Sequence, residues 1–340
     1  MAVHKGRIRM PQVMVNHEGG PRHIGVELEM SGLSIDQLAE EVATQLDLTI
    51  EKTSRYQYNL RGDKDGDWLV ELDFQLLKKM GEEERDEKDF GNDIESLLEM
   101  VSKPLVPHEL VSPPLELKRL PEVQVLIERL RNAGAKGTSE SVLNAFSMQL
   151  NPETPALDVT TLTAYLKSFL CLYEWLFEEA SINMTRRITT YVDPFPRKYV
   201  KKVLAPDYWP ENCETLIRDY LIDNPTRNRA LDMLPLFSHI DADLVEEYTS
   251  DPLIKSRPAF HYRLPNCEIH LPDWGIHLAW DGWLQVEALA QDKRRLNACA
   301  KAYTRVLNAP WWQRLLSGKG RAWHRQLDRK WLVSLGNSDC

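Results

Sequence analysis

A chain of 340 residues with 51 acidic against 42 basic side chains, net charge −9, can bury a sizeable core and is too acidic to bind nucleic acid or an anionic membrane by charge alone. Hydrophobic residues make up 43% of it, yet no apolar run approaches the ~20 residues that span a bilayer, and no apolar run follows the basic residues of Met1–Pro11 as a secretory signal would require. Five scattered cysteines (Cys171, Cys213, Cys267, Cys299 and Cys340) form no CxxC pair, which excludes a zinc knuckle and a disulfide framework and predicts reduced thiols in a cytoplasmic protein.

Residues 1–20 read as a polar, flexible lead-in, and residues 21–340 as one domain without repeats or linkers. His23-Ile24-Gly25-Val26-Glu27-Leu28-Glu29-Met30 alternates with period two, the period of a strand, so Glu27 and Glu29 share one face and Ile24, Val26, Leu28 and Met30 the other. Two carboxylates so close make either a solvated acidic face or a seat for a hard cation. Ser34 predicts the cap of a helix over Ile35–Leu46, with Leu38, Val42 and Leu46 on one stripe. Thr49–Leu60 alternates as a strand. The turn Arg61–Asp67 feeds a further strand, Trp68–Phe74, which carries Glu71 and Asp73 at period two, and the pairing reads as a hairpin.

A charged stretch, 81–93, reads as a solvated loop before a helix over Ile94–Met100. Pro107–Leu115 is a short strand stopped by Pro113 and Pro114, with Glu109 where an apolar residue would otherwise stand. An amphipathic helix follows over Leu120–Ala133, ending near Gly134 and Gly137. Ala145–Pro152 is another alternating strand, with Ser147, Gln149 and Asn151 on one face, and Val159–Ala180 a long core helix.

Basic residues then gather at Arg186-Arg187 and Arg197–Lys202. Asn224–Asp232 reads as opening a helix after Pro225, which would put Arg227 and Arg229 near a helix N-terminus and make them a candidate anion site. Pro258–Leu271 reads as two extended segments about Pro265-Asn266, with Glu268 and His270 on a shared face able to ligate a metal. Asp281–Leu307 reads as one long amphipathic helix. The Trp-rich tail (Trp311, Trp312, Trp323, Trp331) packs on the body or offers a surface for homo-oligomerisation. Ser317-Gly318-Lys319-Gly320 lacks phosphate-loop spacing and a preceding strand.

Acids and amides thus recur on strand after strand: Glu27, Glu29, Glu71, Asp73, Glu109, Gln149, Asn151 and Glu268. On one shared sheet they would present oxygen ligands for Mg²⁺ ions, with arginines closing over phosphate, which is what phosphoryl transfer from ATP needs.

His23-Ile24-Gly25-Val26-Glu27-Leu28-Glu29 resembles the first-strand motif of the amidoligase family, and Glu109-Leu110-Val111-Ser112-Pro113-Pro114-Leu115 resembles that family's Glu-aliphatic-Val-Ser-Pro-Pro-Leu block. Gly66–Asp73 falls at the family's second strand and Cys267–His270 at a late Glu-aromatic-Arg strand. The resemblance runs from about residue 22 to 290. It implies an α+β fold, a glutamine-synthetase-like antiparallel sheet with helices packed on one face. It also implies ATP-dependent joining of a carboxylate to an amine through an acyl phosphate, as in the superfamily of glutamine synthetase and γ-glutamylcysteine synthetase. Carried onto this chain, Glu27, Glu29, Glu109, Gln149 and Glu268 would bind Mg²⁺, and Glu71 or Asp73 would ligate metal or deprotonate the amine. The sequence departs from the family at Gln149-Leu150-Asn151, where the family often has His-x-His, and at His270, where it has Arg. Phosphate contacts would then come from Arg263, Arg227, Arg229 or Arg186. The substrates implied are a small-molecule or peptide carboxylate and an amine.

Two other classes compete. A metal-dependent hydrolase would use the same acids with His261, His270 and His277, although these lack a compact zinc-site spacing. A catalytically inactive chain of the same fold would act as a binding protein.

Overall fold

The computed structural model describes residues 7–72, 107–138, 146–180, 192–309 and 321–335. The predicted strand at Phe74, its Asp73, the 81–93 stretch, the helix over 94–100, Arg186, and residues 311, 312 and 317–320 lie outside the described residues. The chain is a mixture of helices and one antiparallel sheet, an α+β protein.

The first strand, β1 (His23–Met30), forms as its sequence predicts: Ile24, Val26, Leu28 and Met30 are buried, while the residues between them are half-exposed. Each such apolar side chain stabilises the fold by about 1.5–3 kcal/mol on burial, which fixes the strand's facing. A one-residue slip would put both glutamates into the core.

Helix α1 (Ile35–Leu46) begins where expected, because Ser34 and Gln37 form a reciprocal capping box. The Thr49–Leu60 segment is a correction: it is a hairpin of β2 (Thr49–Ser54) and β3 (Gln57–Arg61) rather than one strand, bent at Arg55-Tyr56. Its alternation survives only in β3, where Tyr58 and Leu60 are buried, while β2 is exposed throughout. The second predicted hairpin is present, β3 pairing with β4 (Trp68–Leu72). Its turn is clamped from outside by Arg119, whose guanidinium donates to Asp63 at 2.6 Å and to Asp65 at 2.7 Å. Against the effect of burial, the Arg119 bond to Asp63, with others from the Asp65 backbone N–H and the Trp68 indole, holds the Asp63 carboxyl down to about 2.

Strand β5 (His108–Val111) stops at the two prolines and resumes as β6 (Leu115–Glu116), both along the same edge of β1. Between them Ser112 supplies what the prolines cannot: its Oγ accepts the Val26 N–H at 2.9 Å and donates to the Pro113 carbonyl at 2.8 Å. Helix α2 (Leu120–Ala133) ends at Gly134, whose φ of 105° suits a residue without a Cβ. Strand β7 (Met148–Pro152) lies on β1's other edge. Helix α3 (Val159–Glu179), capped by Asp158, crosses the apolar side of the sheet as the core helix expected.

The later half adds α4 (Arg197–Val203), α5 (Cys213–Asp223), β8 (Leu231–Asp232), α6 (Leu234–Ile240), α7 (Ala242–Glu246) and β9 (His261–Tyr262). No helix opens at Asn224. That residue instead ends α5, and 225–230 lead as a loop into β8, correcting the placement of Arg227 and Arg229 at a helix N-terminus. Asp281–Leu307 is likewise two helices, α8 (Ile276–Ala290) and α9 (Lys293–Asn308). Asp292 breaks them by accepting the Arg295 N–H as the cap of α9. In the tail, α10 (Arg321–Lys330) buries Trp323, stacked on Tyr303 with ring centroids 4.8 Å apart.

The strands form one nine-stranded sheet in the order β2-β3-β4-β5-β1-β7-β9-β8, with β6 also on β1. Tyr262 of β9 shows how the apolar side is closed: its ring packs edge-on to Phe169 of α3 at 5.9 Å and tilted to Trp283 of α8 at 5.7 Å. Arg22, just before β1, is fully buried and doubly bonded to Glu287 of α8 at 2.7 and 3.1 Å. Residues 7–22 form no long element, but Arg9 pairs with Asp281, and Asn16 donates to Glu153 at 2.9 Å. No helix among the described residues is long and apolar enough to cross a membrane.

Candidate active site

Residues paired across an antiparallel ladder point to the same face. The register therefore converts the scattered acids and amides into two rows. In the first, Glu71 of β4 stands opposite Glu109 of β5, and Glu109 opposite Glu29 of β1. Ser147 continues it, since the Glu29 N–H donates to the Ser147 carbonyl at 3.0 Å. In the second row Glu27 faces Gln149, while Gly25 faces Asn151 one step further along. All these side chains occupy the face opposite the helices.

Two of the carboxylates are held by β7. The Ser147 backbone N–H donates to Glu29 Oε2 at 2.7 Å and its hydroxyl to Oε1 at 2.6 Å. Asn151 Nδ2 donates to Glu27 Oε1 at 2.6 Å. A carboxylate only accepts, so this contact fixes which end of the Asn151 carboxamide is nitrogen.

Beyond β7 the same face turns basic. The Leu150–Tyr262 pairing and the bond from the Phe260 N–H to the Pro152 carbonyl bracket His261 opposite Asn151. His261 in turn pairs with Asp232 of β8, and Arg263 donates to the fully buried Asp232 at 3.1 Å. Burial pushes the Asp232 carboxyl above its ordinary range despite that partner. Burial, and then Arg263, Arg257 and Arg227, drive the His261 imidazole well below its ordinary value, so it is neutral. Asp232 and the pairing of His261 with it were not legible in the sequence. Asp232 closes a stretch whose sequence suggests a helix start, and β8 and β9 are only two residues each.

Of the expected arginines, Arg263 and Arg227 flank this basic end, Arg227 pairing with Asp251 at 2.8 Å. Arg229 is buried and ties down the chain: it donates to the Pro194 and Asp223 carbonyls at 2.8 and 3.2 Å.

Glu268 does not lie in a regular strand. The Cys267 N–H donates to the Phe146 carbonyl and its own carbonyl accepts the Thr138 N–H, and His270 Nδ1 stands 3.9 Å from Glu268 while accepting the Gly137 N–H at 3.2 Å. Gly137 is required there: a Cβ would lie 2.4 Å from the Cys267 oxygen and 2.8 Å from Glu268 Cα. His277 belongs to α8. Among the described residues no three His, Cys, Asp or Glu side chains are gathered as a metal centre would require, His261, His270 and His277 included.

The face is therefore graded, carboxylates from β4 to β1, neutral carboxamides on β7, then the imidazole of β9 and the guanidinium of Arg263 just after it. Hard oxygen donors suit a divalent cation, guanidinium groups suit phosphate, and the gradient would let one ligand bridge the two. A family model described as "Putative amidoligase enzyme" matches residues 20–285, which takes in every strand of the sheet. No curated protein and no solved structure matches the chain.

Proposed function

From the chain's membership of the amidoligase family, we propose that it is a ligase that uses ATP and Mg²⁺ to join a carboxylate to an amine through an acyl phosphate. The sheet is taken, with the family's implied architecture, to be of the glutamine-synthetase type. The observation that carries the reading is the graded face. Glu71, Glu109 and Glu29 form one cross-strand row, Glu27 lies beside it, and Arg263 stands at the far end of the same surface.

The donor set is chemically suited to Mg²⁺, because every candidate ligand offers oxygen. No three of these side chains converge on one point among the described residues, so binding would have to draw the row together. Glu71, Glu109 and Glu29, one cross-strand row, would hold the ion, with Glu268 the remaining carboxylate, and Glu27 stands beside them bonded to Asn151. When bound, the cation would neutralise phosphate oxygens. Arg263, kept in place by Asp232, would bind the transferred phosphoryl group, and Arg227 would add positive charge. In the first step a substrate carboxylate oxygen attacks the γ-phosphorus and ADP departs. In the second the amine nitrogen attacks the acyl carbon, the carbon–oxygen bond to phosphate breaks, and one amine proton is lost. The chain's part is to hold the three reactants and to balance their charge.

The test is nucleotide turnover by the purified protein with Mg²⁺ and ATP against pools of acids and amines. ADP and phosphate released only when both an acid and an amine are present support the reading. AMP and pyrophosphate would replace the acyl phosphate with an acyl adenylate. Full turnover by Glu27→Gln would remove Glu27 from the site.

A further inference from the structure

Resting on the ligase reading, we propose that Gln149 and Asn151 of β7, with Glu27, form the seat for the substrate's amine, and that it selects a primary ammonium group. Both carboxamides are more than nine-tenths buried, yet Gln149 Oε1 and Asn151 Oδ1 have no hydrogen-bond partner among the described residues. Leaving a buried acceptor unpaired costs about 1–3 kcal/mol, so two on adjacent same-face positions of one strand mark where a donor belongs. Asn151 cannot be reoriented to relieve this, because its Nδ2 is committed to Glu27.

The acceptors also specify the donor. Glu27 stands opposite Gln149 and is bonded to Asn151, so one negative charge and two neutral oxygens share the spot. A primary ammonium carries one positive charge and three N–H donors, which matches that set in charge and in number. A quaternary ammonium has the charge and none of the donors. The neighbouring His261, buried opposite Asn151 with both ring nitrogens unpartnered among the described residues, adds no positive charge to oppose an ammonium. Arg263 follows β9 directly and donates to Asp232, the cross-strand partner of His261, so an amine on β7 would lie near the group assigned to phosphate. An ammonium has no lone pair, so it first gives one proton to the Glu27 carboxylate, and the freed amine nitrogen then lies next to the leaving phosphate, as the second step requires. In this proposal Gln149 and Glu27 contact the amine, where the family resemblance implies metal ligands.

Two readouts test the seat. Saturation-transfer NMR with the full chain should detect n-butylamine and not butyltrimethylammonium, and Gln149→Leu should abolish the butylamine signal with a melting temperature no lower than that of the parent chain. In turnover, Gln149→Leu should raise the amine KM by about 10-fold or more while leaving the KM for ATP in place. Equal signals from the two probes, an amine KM unmoved by Gln149→Leu, or competitive displacement of butylamine by Mg²⁺ alone would overturn the seat and leave the ligase standing. No turnover with any acid and amine, alongside a butylamine signal that Gln149→Leu removes, would keep the seat and overturn the ligase.

Discussion

Ser147 holds the Glu29 carboxylate by both oxygens at once, through its backbone N–H at 2.7 Å and its hydroxyl at 2.6 Å. Charge-assisted bonds of this length fix the carboxylate's orientation before any ligand arrives. Ser147→Ala removes one bond and leaves the other. The expected result is a stability loss of about 1.5–3 kcal/mol by denaturant titration and a turnover reduced about 10–100-fold. An unchanged rate would mean that the orientation of Glu29 does not matter to the reaction.

Arg22 and Glu287 form an ion pair with side-chain exposures of 0% and 2%, tying the entry of β1 to α8. Such a pair stabilises little compared with an apolar substitute, but breaking it strands a charge. Arg22→Met should therefore cost about 3–5 kcal/mol. The double change Arg22→Met with Glu287→Leu should recover part of that loss. A double variant as unstable as the two single losses added together would show the pair to be uncoupled.

Gly137 and Gly134 separate two effects. Gly137→Ala forces the Cys267–Glu268 backbone away, since its Cβ would sit 2.4 Å from a carbonyl oxygen. It should cost about 1–3 kcal/mol and also lower turnover if Glu268 serves the site. Gly134→Ala meets nothing within 4 Å and is strained only by its φ of 105°. It should destabilise at constant turnover. Turnover falling equally in both variants would argue that Glu268 is not the cause.

His261 gives the protein a pH dependence with a definite sign. Its folded imidazole stays neutral well below the ordinary 6.5, held there by burial and by Arg263, Arg257 and Arg227, while the unfolded one takes up a proton. The stability it allows is therefore complete above about pH 6.5 and declines as pH falls below that value. His277, lowered mainly by burial, acts in the same direction. His261→Gln should make the decline between about pH 7 and pH 5 shallower without removing it, as followed by melting temperature. An identical slope would mean that His261 is protonated in the folded protein.

The period-two pattern around Glu27 and Glu29, the Ser34 cap and the Ser112-Pro113-Pro114 break were all legible in the sequence, because each is decided within a few neighbouring residues. The family resemblance is read from the same local blocks, around Glu27 and Glu29 and from Glu109 to Leu115. Two further local signals are present in the sequence: Asp292, which caps a new helix, and Asn224, which ends one rather than opening it. Strand order was beyond local reading. Only hydrogen bonding between residues far apart in the chain sets Glu71 beside Glu109 and Glu29, Gln149 beside Glu27, and Asp232 beside His261. The sequence by itself determined which residues face away from the core. The tertiary structure decided which of them meet, because cross-strand register depends on packing the whole apolar face against helices that arrive later in the chain.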